Sequence, residues 1–133
     1  MTRKLLGLLL CFLSISLFTC REKSFEEYDE SEFYKSQGII LSARQTKTIL
    51  DDPFMKEIKY EYFVNDSTIL RNSENFSFID MTRGVPIEVL VHKKNPKISF
   101  YWRNGLSDSI TPYQLDYIRK KMDTIMVEFE NLK

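Results

Sequence analysis

Short β-branched and apolar runs occupy the middle of the chain and predict β-strands, one of them with a period of two. The clearest is the run in which Ile58, Tyr60, Tyr62 and Val64 alternate with Lys59, Glu61 and Phe63, a pattern that gives a strand one apolar face. Similar runs cover residues 38–44, 68–71, 87–92 and 98–102, with turn-forming residues between them. We therefore predict an α+β, β-rich fold with about five short antiparallel strands in a curled sheet or half-open small barrel. Residues 72–82 are mixed in pattern, and we expect Phe76, Phe78 and Ile79 to enter the core.

The last segment of the chain changes to helical spacing. Thr111 and Gln114 have the spacing of a capping box, and Pro112 falls at the first helical position. Apolar residues then recur at steps of three and four: Leu115, Ile118, Met122, Ile125, Phe129 and Leu132. This pattern predicts an amphipathic helix over residues 112–132. Such a helix is not stable alone and needs the sheet, or a second copy of itself.

The first residues have the pattern of a secretory signal. Arg3 and Lys4 precede an apolar run from Leu5 to Phe18, which is too short for an ordinary membrane-spanning helix. Leu17-Phe18-Thr19-Cys20 resembles the lipobox of bacterial lipoproteins. The resemblance implies a signal peptide over residues 1–19, cleavage before Cys20, and acyl chains on the sulfur and the new amino group of Cys20. Three acyl chains anchor a protein durably to a membrane.

Residues 20–34 are interpreted as the lipidated cysteine and an acidic spacer, followed by one domain over residues 35–133. Residues 21–33 hold two basic and six acidic side chains, which indicates a solvated coil. Ser24 and Glu27 have capping-box spacing, so a short helix here remains an alternative. The acidic stretch resembles surface-export signals of Bacteroidetes lipoproteins. By analogy with the sorting rule of enterobacterial lipoproteins, Arg21 after the cysteine favours the outer membrane. Periplasmic and surface exposure both remain open.

Charge and cysteine content narrow the class of protein. Without residues 1–19 the chain has 17 basic and 19 acidic residues, which argues against a nucleic-acid partner. Cys20 is then the only cysteine, so no disulfide can form within one chain. We expect a membrane attachment through Cys20 and an envelope protein or glycan partner.

No catalytic or metal-binding pattern is visible. His92 is the only histidine; it is interpreted as a surface residue near a basic turn, with nothing that places a nucleophilic serine beside it. Asp51, Asp52 and Glu57 lack the regular spacing of calcium ligands and indicate a solvated loop. We predict no metal, no cofactor and no enzymatic activity, with a carboxylate-based hydrolase as the exception left open.

Aromatic and basic residues near the fifth predicted strand form the candidate binding face. Tyr101 would point outward in one register, and Phe100 with Trp102 in the other. Lys93, Lys94 and Arg103 add positive charge that could meet anionic lipid or glycan. The alternative for the aromatic residues is that they fill the core, which is the usual role of such residues on strands. The alternative for the basic residues is that they are the solvated end of a hairpin.

Three tripeptides resemble the Asp-Ser/Thr-apolar acceptor of Bacteroidetes O-glycosylation. The resemblance implies modification at Ser67 and Ser109, which fall in predicted turns, and less readily at Thr124 inside the predicted helix.

Residues 58–99 carry a further family resemblance. Lys59-Tyr60-Glu61-Tyr62, Gly84-Val85-Pro86-Ile87-Glu88-Val89 and Asn95-Pro96-Lys97-Ile98-Ser99 follow in order. They resemble small bacterial membrane-associated β modules of unknown function. The resemblance supports a β fold and implies no catalytic residue.

These observations favour a lipid-anchored envelope protein with a non-enzymatic binding or accessory role. The first alternative is an inhibitor or immunity lipoprotein against a toxin or hydrolase, which predicts a protruding loop at residues 72–82 or 104–110. The second is an envelope hydrolase, which predicts a pocket with two convergent carboxylates.

Overall fold

A five-stranded antiparallel sheet followed by one C-terminal helix forms the fold. The computed structural model describes residues 22–48, 50, 52–77 and 81–132. The strands are β1 Phe33–Gln45, β2 Lys56–Asn65, β3 Thr68–Phe76, β4 Pro86–His92 and β5 Ser99–Asn104, and the helix is α1 Pro112–Glu130. Two 3-10 turns, Phe25–Glu27 and Glu30–Glu32, precede β1. The predicted strand number, strand direction and C-terminal helix are confirmed.

The order of the strands in the sheet is β3-β2-β1-β4-β5. β1, β2 and β3 follow one another, whereas β4 pairs with the other side of β1. The connection from β3 to β4 therefore passes from one edge of the sheet to the far side of its central strand. Met81 in this connection is buried in the core. Among the described residues, no helix is long and apolar enough to cross a bilayer.

One side of the sheet, here called the inner face, holds the main core. Tyr60 and Tyr62 are its largest buried side chains, and aromatic rings supply large apolar areas for burial. They pack in one cluster with six smaller residues: Ile40, Ile58, Met81, Ile87, Val89 and Val91. The period of two predicted for β2 is thus confirmed on this face.

The sheet curls around the inner face without closing into a barrel. The pairings of three strand pairs shift register, between Ile40 and Ser42, Phe63 and Asn65, and Glu88 and Val89. Such bulges bend strands and increase their twist.

Because the sheet is curled, side chains of β3 reach the backbone of β5. The Glu74 carboxylate accepts a hydrogen bond from the Tyr101 N–H at 2.7 Å, and Asn72 Nδ2 donates to the Ser99 carbonyl at 3.0 Å. We call this junction of β3 and β5 the seam.

The opposite side of the sheet, the helix face, is also partly buried. Phe63 and Ile39 pack against Ile118 of α1, and Glu61 is buried beside them. The prediction that β2 has only one buried face is therefore wrong. Because α1 lies over β1 and β2, both faces of these two strands are covered: one by the inner core and the other by the helix.

The capping box predicted for the helix is confirmed. Thr111 Oγ1 accepts from the Gln114 N–H at 3.2 Å, and Gln114 Oε1 accepts from the Thr111 N–H at 3.3 Å. Asp66 in the β2–β3 turn accepts further bonds from Thr111 Oγ1 at 2.8 Å and Gln114 Nε2 at 3.0 Å. These bonds fix the first turn of α1 to the sheet, and the Asp66 charge suits the positive end of the helix dipole.

The N-terminal segment differs from the predicted spacer. β1 begins at Phe33, the side chains of Phe25 and Tyr28 pack on the sheet, and two 3-10 turns lie between Phe25 and Glu32, so the prediction of a solvated coil is wrong from Phe25 onward. Ser24 makes no side-chain cap. The capping box belongs instead to Asp29 and Glu32, which begin and end the second 3-10 turn. Cys20 and residues 1–19 lie outside the described residues.

Candidate functional site

An aromatic cluster on the helix face, beside α1, receives the N-terminal segment. The Phe25 ring lies 5.5 Å from Phe33, 5.5 Å from Phe100 and 6.3 Å from Trp102, between ring centroids. All three pairs meet edge to face, a favourable geometry for aromatic rings. Together with Tyr28 and His92, these residues form what we call the aromatic cluster.

The second half of the cluster is fixed by hydrogen bonds. Tyr28 lies 5.5 Å from Phe33 and 5.7 Å from His92. The backbone N–H of Lys93 donates to the Glu32 carbonyl at 2.8 Å, and Lys93 Nζ donates to the Ser31 carbonyl at 2.7 Å. The N-terminal segment is therefore held against β4 and β5 by both packing and polar contacts.

His92 is a structural residue of the β4–β5 turn. The prediction of a surface histidine is wrong, because the residue is buried, with 7% of its surface exposed. Its Nδ1 accepts hydrogen bonds from the backbone N–H groups of Lys94 at 3.2 Å and Asn95 at 3.0 Å. Its Nε2 lies 3.8 Å from the Glu32 carboxylate. Both ring nitrogens thus face partners that shape the turn and the segment docked on it.

The predicted binding face is divided between the two sides of the sheet. Tyr101 pairs with Val89 of the inner face and packs against Phe76 at 5.1 Å. Trp102 lies on the opposite side, 40% exposed, with the Lys35 ammonium 5.7 Å from its ring. Tyr101 and Trp102 therefore cannot contact one ligand side by side. Trp102 is the exposed edge of the aromatic cluster.

The predicted basic residues do not form one surface either. Lys93 binds the N-terminal segment, whereas Lys94 is exposed. Arg103 Nε donates to Glu88 at 2.7 Å, and its guanidinium lies 3.9 Å from Asp108. Exposed positive charge next to the cluster comes instead from Lys23, 5.5 Å from the Tyr28 ring, and from Lys35.

Glu88 is the centre of a buried polar group that sequence reasoning missed. Its carboxylate accepts from Arg103 and from Ser107 Oγ at 2.9 Å, and Gln37 Oε1 accepts from the Ser107 N–H at 2.7 Å. Desolvation raises the pKa of Glu88, but the hydrogen bonds from Arg103 and Ser107 outweigh it and hold the pKa below its ordinary value. Nothing in the alternating pattern of β4 distinguishes Glu88 from a solvent-facing residue.

Glu61 forms a second buried acidic group under the helix. Its carboxylate accepts from Tyr117 Oη at 2.7 Å and lies 3.2 Å from Lys121 Nζ and 3.5 Å from Arg71 Nε. Tyr117 also packs on Phe63 with ring centroids 5.2 Å apart. The group joins β2, β3 and α1, so its charge is compensated by neighbours that are part of the fold.

The two segments predicted to protrude as loops in an inhibitor are part of the sheet or bonded to it. Residues 72–76 belong to β3, so this part of the predicted loop is wrong. Residues 104–110 are tied to the sheet through Ser107, which is buried. Phe78 and Ile79 lie outside the described residues, while Phe76 packs at the edge of the core as predicted.

Four clefts on the described surface each have at most one carboxylate in their lining. The cleft nearest the aromatic cluster measures about 220 Å³ and is lined by Glu22, Lys23, Tyr28 and Phe100, among others. No group of three or more histidine, cysteine, aspartate or glutamate side chains suited to a metal ion occurs within the described part of the chain.

The two predicted glycosylation sites lie in exposed turns. Ser67 follows β2, and its Oγ donates to Asn65 Oδ1 at 2.8 Å. Ser109 lies near Ser107, with 3.1 Å between their hydroxyl oxygens. Modification of either residue stays a prediction.

Replacing Phe25 by Ala should release the N-terminal segment from the aromatic cluster. The loss of three edge-to-face contacts should cost about 1–2 kcal/mol of stability. Trp102 is the only tryptophan, so its fluorescence emission should shift to longer wavelength as water reaches it. Phe54→Ala, at a mostly exposed phenylalanine, is the control and should leave the emission unchanged. An unshifted spectrum of the Phe25→Ala variant would show that the segment is not held by this ring.

The structure thus defines a class: a small curled β-sheet with a C-terminal helix on one face and an N-terminal segment docked beside it. No known family model, curated protein or solved structure matches this chain.

Proposed function

We propose that this protein is a lipid-anchored component of the bacterial cell envelope, attached through Cys20, with a non-enzymatic binding or accessory role at the membrane surface. The observation that carries the proposal is the docking of Phe25 on the sheet. The fold starts at Phe25, five residues after Cys20. Five extended residues reach at most about 17 Å, so the anchor would hold the aromatic cluster close to the bilayer.

The environment of the buried and partly buried carboxylates supports a non-enzymatic role. Glu61, Glu74 and Glu88 lie on different strands, and each is hydrogen bonded to groups from other parts of the fold. Each therefore contributes to holding elements together. Trp102 and Lys35 beside it offer an exposed aromatic and cationic edge, which suits an accessory surface near lipid or glycan.

Replacing Cys20 by Ala tests the anchor. The variant precursor should stay uncut by the lipoprotein peptidase and should lose all labelling by a fatty-acid analogue, because the acceptor sulfur is gone. Gel mobility and label incorporation in the producing cells measure both effects. Cys11→Ala, at the only other cysteine, should be cleaved and labelled like the wild type. Labelling that persists without Cys20 would refute the proposal.

A further inference from the structure

The second half of α1 carries apolar side chains that the sheet does not cover. Ile118 and Ile125 are buried, the latter against Gly84. Beyond Ile118 the helical spacing continues through Met122, Met126 and Phe129, which are 37%, 61% and 57% exposed. We call these three residues the helix stripe. Their exposed area is on the order of 300 Å² per chain, which is as large as a functional patch on a small protein.

Three charged residues without an ion-pair partner in the described part of the chain lie along one flank of the helix stripe: Arg119, Asp123 and Glu130. Arg119 and Glu130 are exposed and eleven residues apart, so three helical turns place them on the same flank, about 16 Å from each other. Within the described residues no ion pair is recorded for either. Other charges of the helix do have partners in the same chain: Lys120 pairs with Asp116, Lys121 with Glu61, and Glu128 with Arg83.

We propose that the helix stripe binds the same stripe of a second copy of this chain, with the two helices antiparallel. A two-fold axis near Thr124 and Ile125 would place Arg119 of each copy opposite Glu130 of the other. Met122 of one copy would then meet Phe129 of the second copy, and Met126 would lie close to the axis. In a parallel two-fold pair, the flank that carries Arg119 and Glu130 would lie on opposite sides of the interface in the two copies, so both charges would stay without a partner. The charges therefore select the antiparallel arrangement.

The size of the stripe predicts a weak dimer. Two copies would bury roughly 600 Å² in total, below the 1,200 Å² of a standard stable interface. Confinement of anchored copies to a membrane raises their effective concentration, and this part of the inference rests on the proposed lipid anchor. The pairing itself needs only the described helix.

Thiol cross-linking of the full chain in cells tests the pairing. Met126→Cys places a thiol near the proposed axis, and a short bis-maleimide should join two copies into a species of twice the mass. Adding Arg119→Glu, or Glu130→Arg, should lower the cross-linked fraction roughly fivefold to tenfold, because each homodimer then opposes like charges twice. Co-expression of the two charge variants should restore cross-linking between them. Lys94→Glu, a remote charge reversal at an exposed residue, is the control and should have no effect.

The outcomes separate the pairing from the anchor. No cross-link at Met126→Cys, or a cross-link that both charge reversals leave unchanged, would overturn the antiparallel dimer. A cross-link to a protein of different mass would show that the stripe binds another partner and would also overturn it. If Cys20 is not lipidated, the result is different. Its free thiol should then cross-link in the wild-type chain, and the chain should carry no fatty-acid label. Immunoblots of total protein show whether each variant accumulates normally.

Discussion

Gly38→Ala is expected to lower the free energy of unfolding by about 3 kcal/mol, toward the upper end of the usual cost of overpacking a core. Gly38 lies in the central strand β1 and faces the inner core. An added methyl carbon would stand 2.7 Å from the Glu61 carbonyl oxygen and 3.0 Å from Val89 Cγ2. The first contact is with backbone, so relief requires a shift of β2 against β1 at the middle of the sheet.

Urea denaturation measures the effect of this change, with the slope of the transition as a check on two-state behaviour. Ser42→Ala is the matched control in the same strand. Ser42 is only half-buried, and its replacement should change the stability by less than about 0.5 kcal/mol. If Gly38→Ala behaved like Ser42→Ala, the close approach of β1 and β2 at Gly38 would be refuted.

Glu74 in the seam should make stability depend on pH in the direction opposite to Glu88. Desolvation raises the pKa of Glu74, and the hydrogen bonds from Tyr60 and the Tyr101 N–H reduce this shift without cancelling it. The folded protein then holds this proton more tightly than the unfolded chain. Stability must fall as pH rises from the ordinary glutamate pKa, about 4.3, to the raised value, and it levels off above that.

Glu74→Gln removes this dependence. The amide cannot ionise, so the stability of the wild type relative to the variant should fall as pH rises above the ordinary glutamate pKa and then level off. Urea denaturation at several pH values measures the difference. Glu88→Gln should give the opposite slope, because the pKa of Glu88 is lowered and its stabilisation is lost as pH falls through the folded value. A wild-type advantage that stays constant or grows with pH would contradict the assignment for Glu74.

The sequence pattern alone was sufficient to predict those elements whose stabilising contacts are between residues close together in the chain. The alternation in β2 and the capping box of α1 involve residues within a few positions of each other, and both predict their elements correctly. Strand ends were less predictable: β3 continues to Phe76, paired with β2, and the polar side chains of Asn72 and Glu74 in this extension bond to β5. A polar strand residue gives no local sign that curling of the sheet will bury it.

The candidate site was predicted only in part for the same reason. Either Tyr101 or the pair Phe100 and Trp102 had to face the helix side, and the pairing of Tyr101 with Val89 of the inner face decides which. The docking of Phe25 was hidden by the acidic residues around it, which indicate a solvated coil by composition. Its only signal was the presence of aromatic residues within that acidic segment.

The seam also bears on how the chain avoids unwanted association. An open sheet has two edge strands whose free N–H and C=O groups can template another chain and lead to aggregation. Here the edge strands β3 and β5 face each other, and side chains of one occupy backbone groups of the other at Ser99 and Tyr101. These groups are already bonded when copies crowd together, so strand addition at this part of β5 would first have to break the seam. Copies can then meet at high local density through side chains, while the Ser99 carbonyl and the Tyr101 N–H are already bonded within the chain.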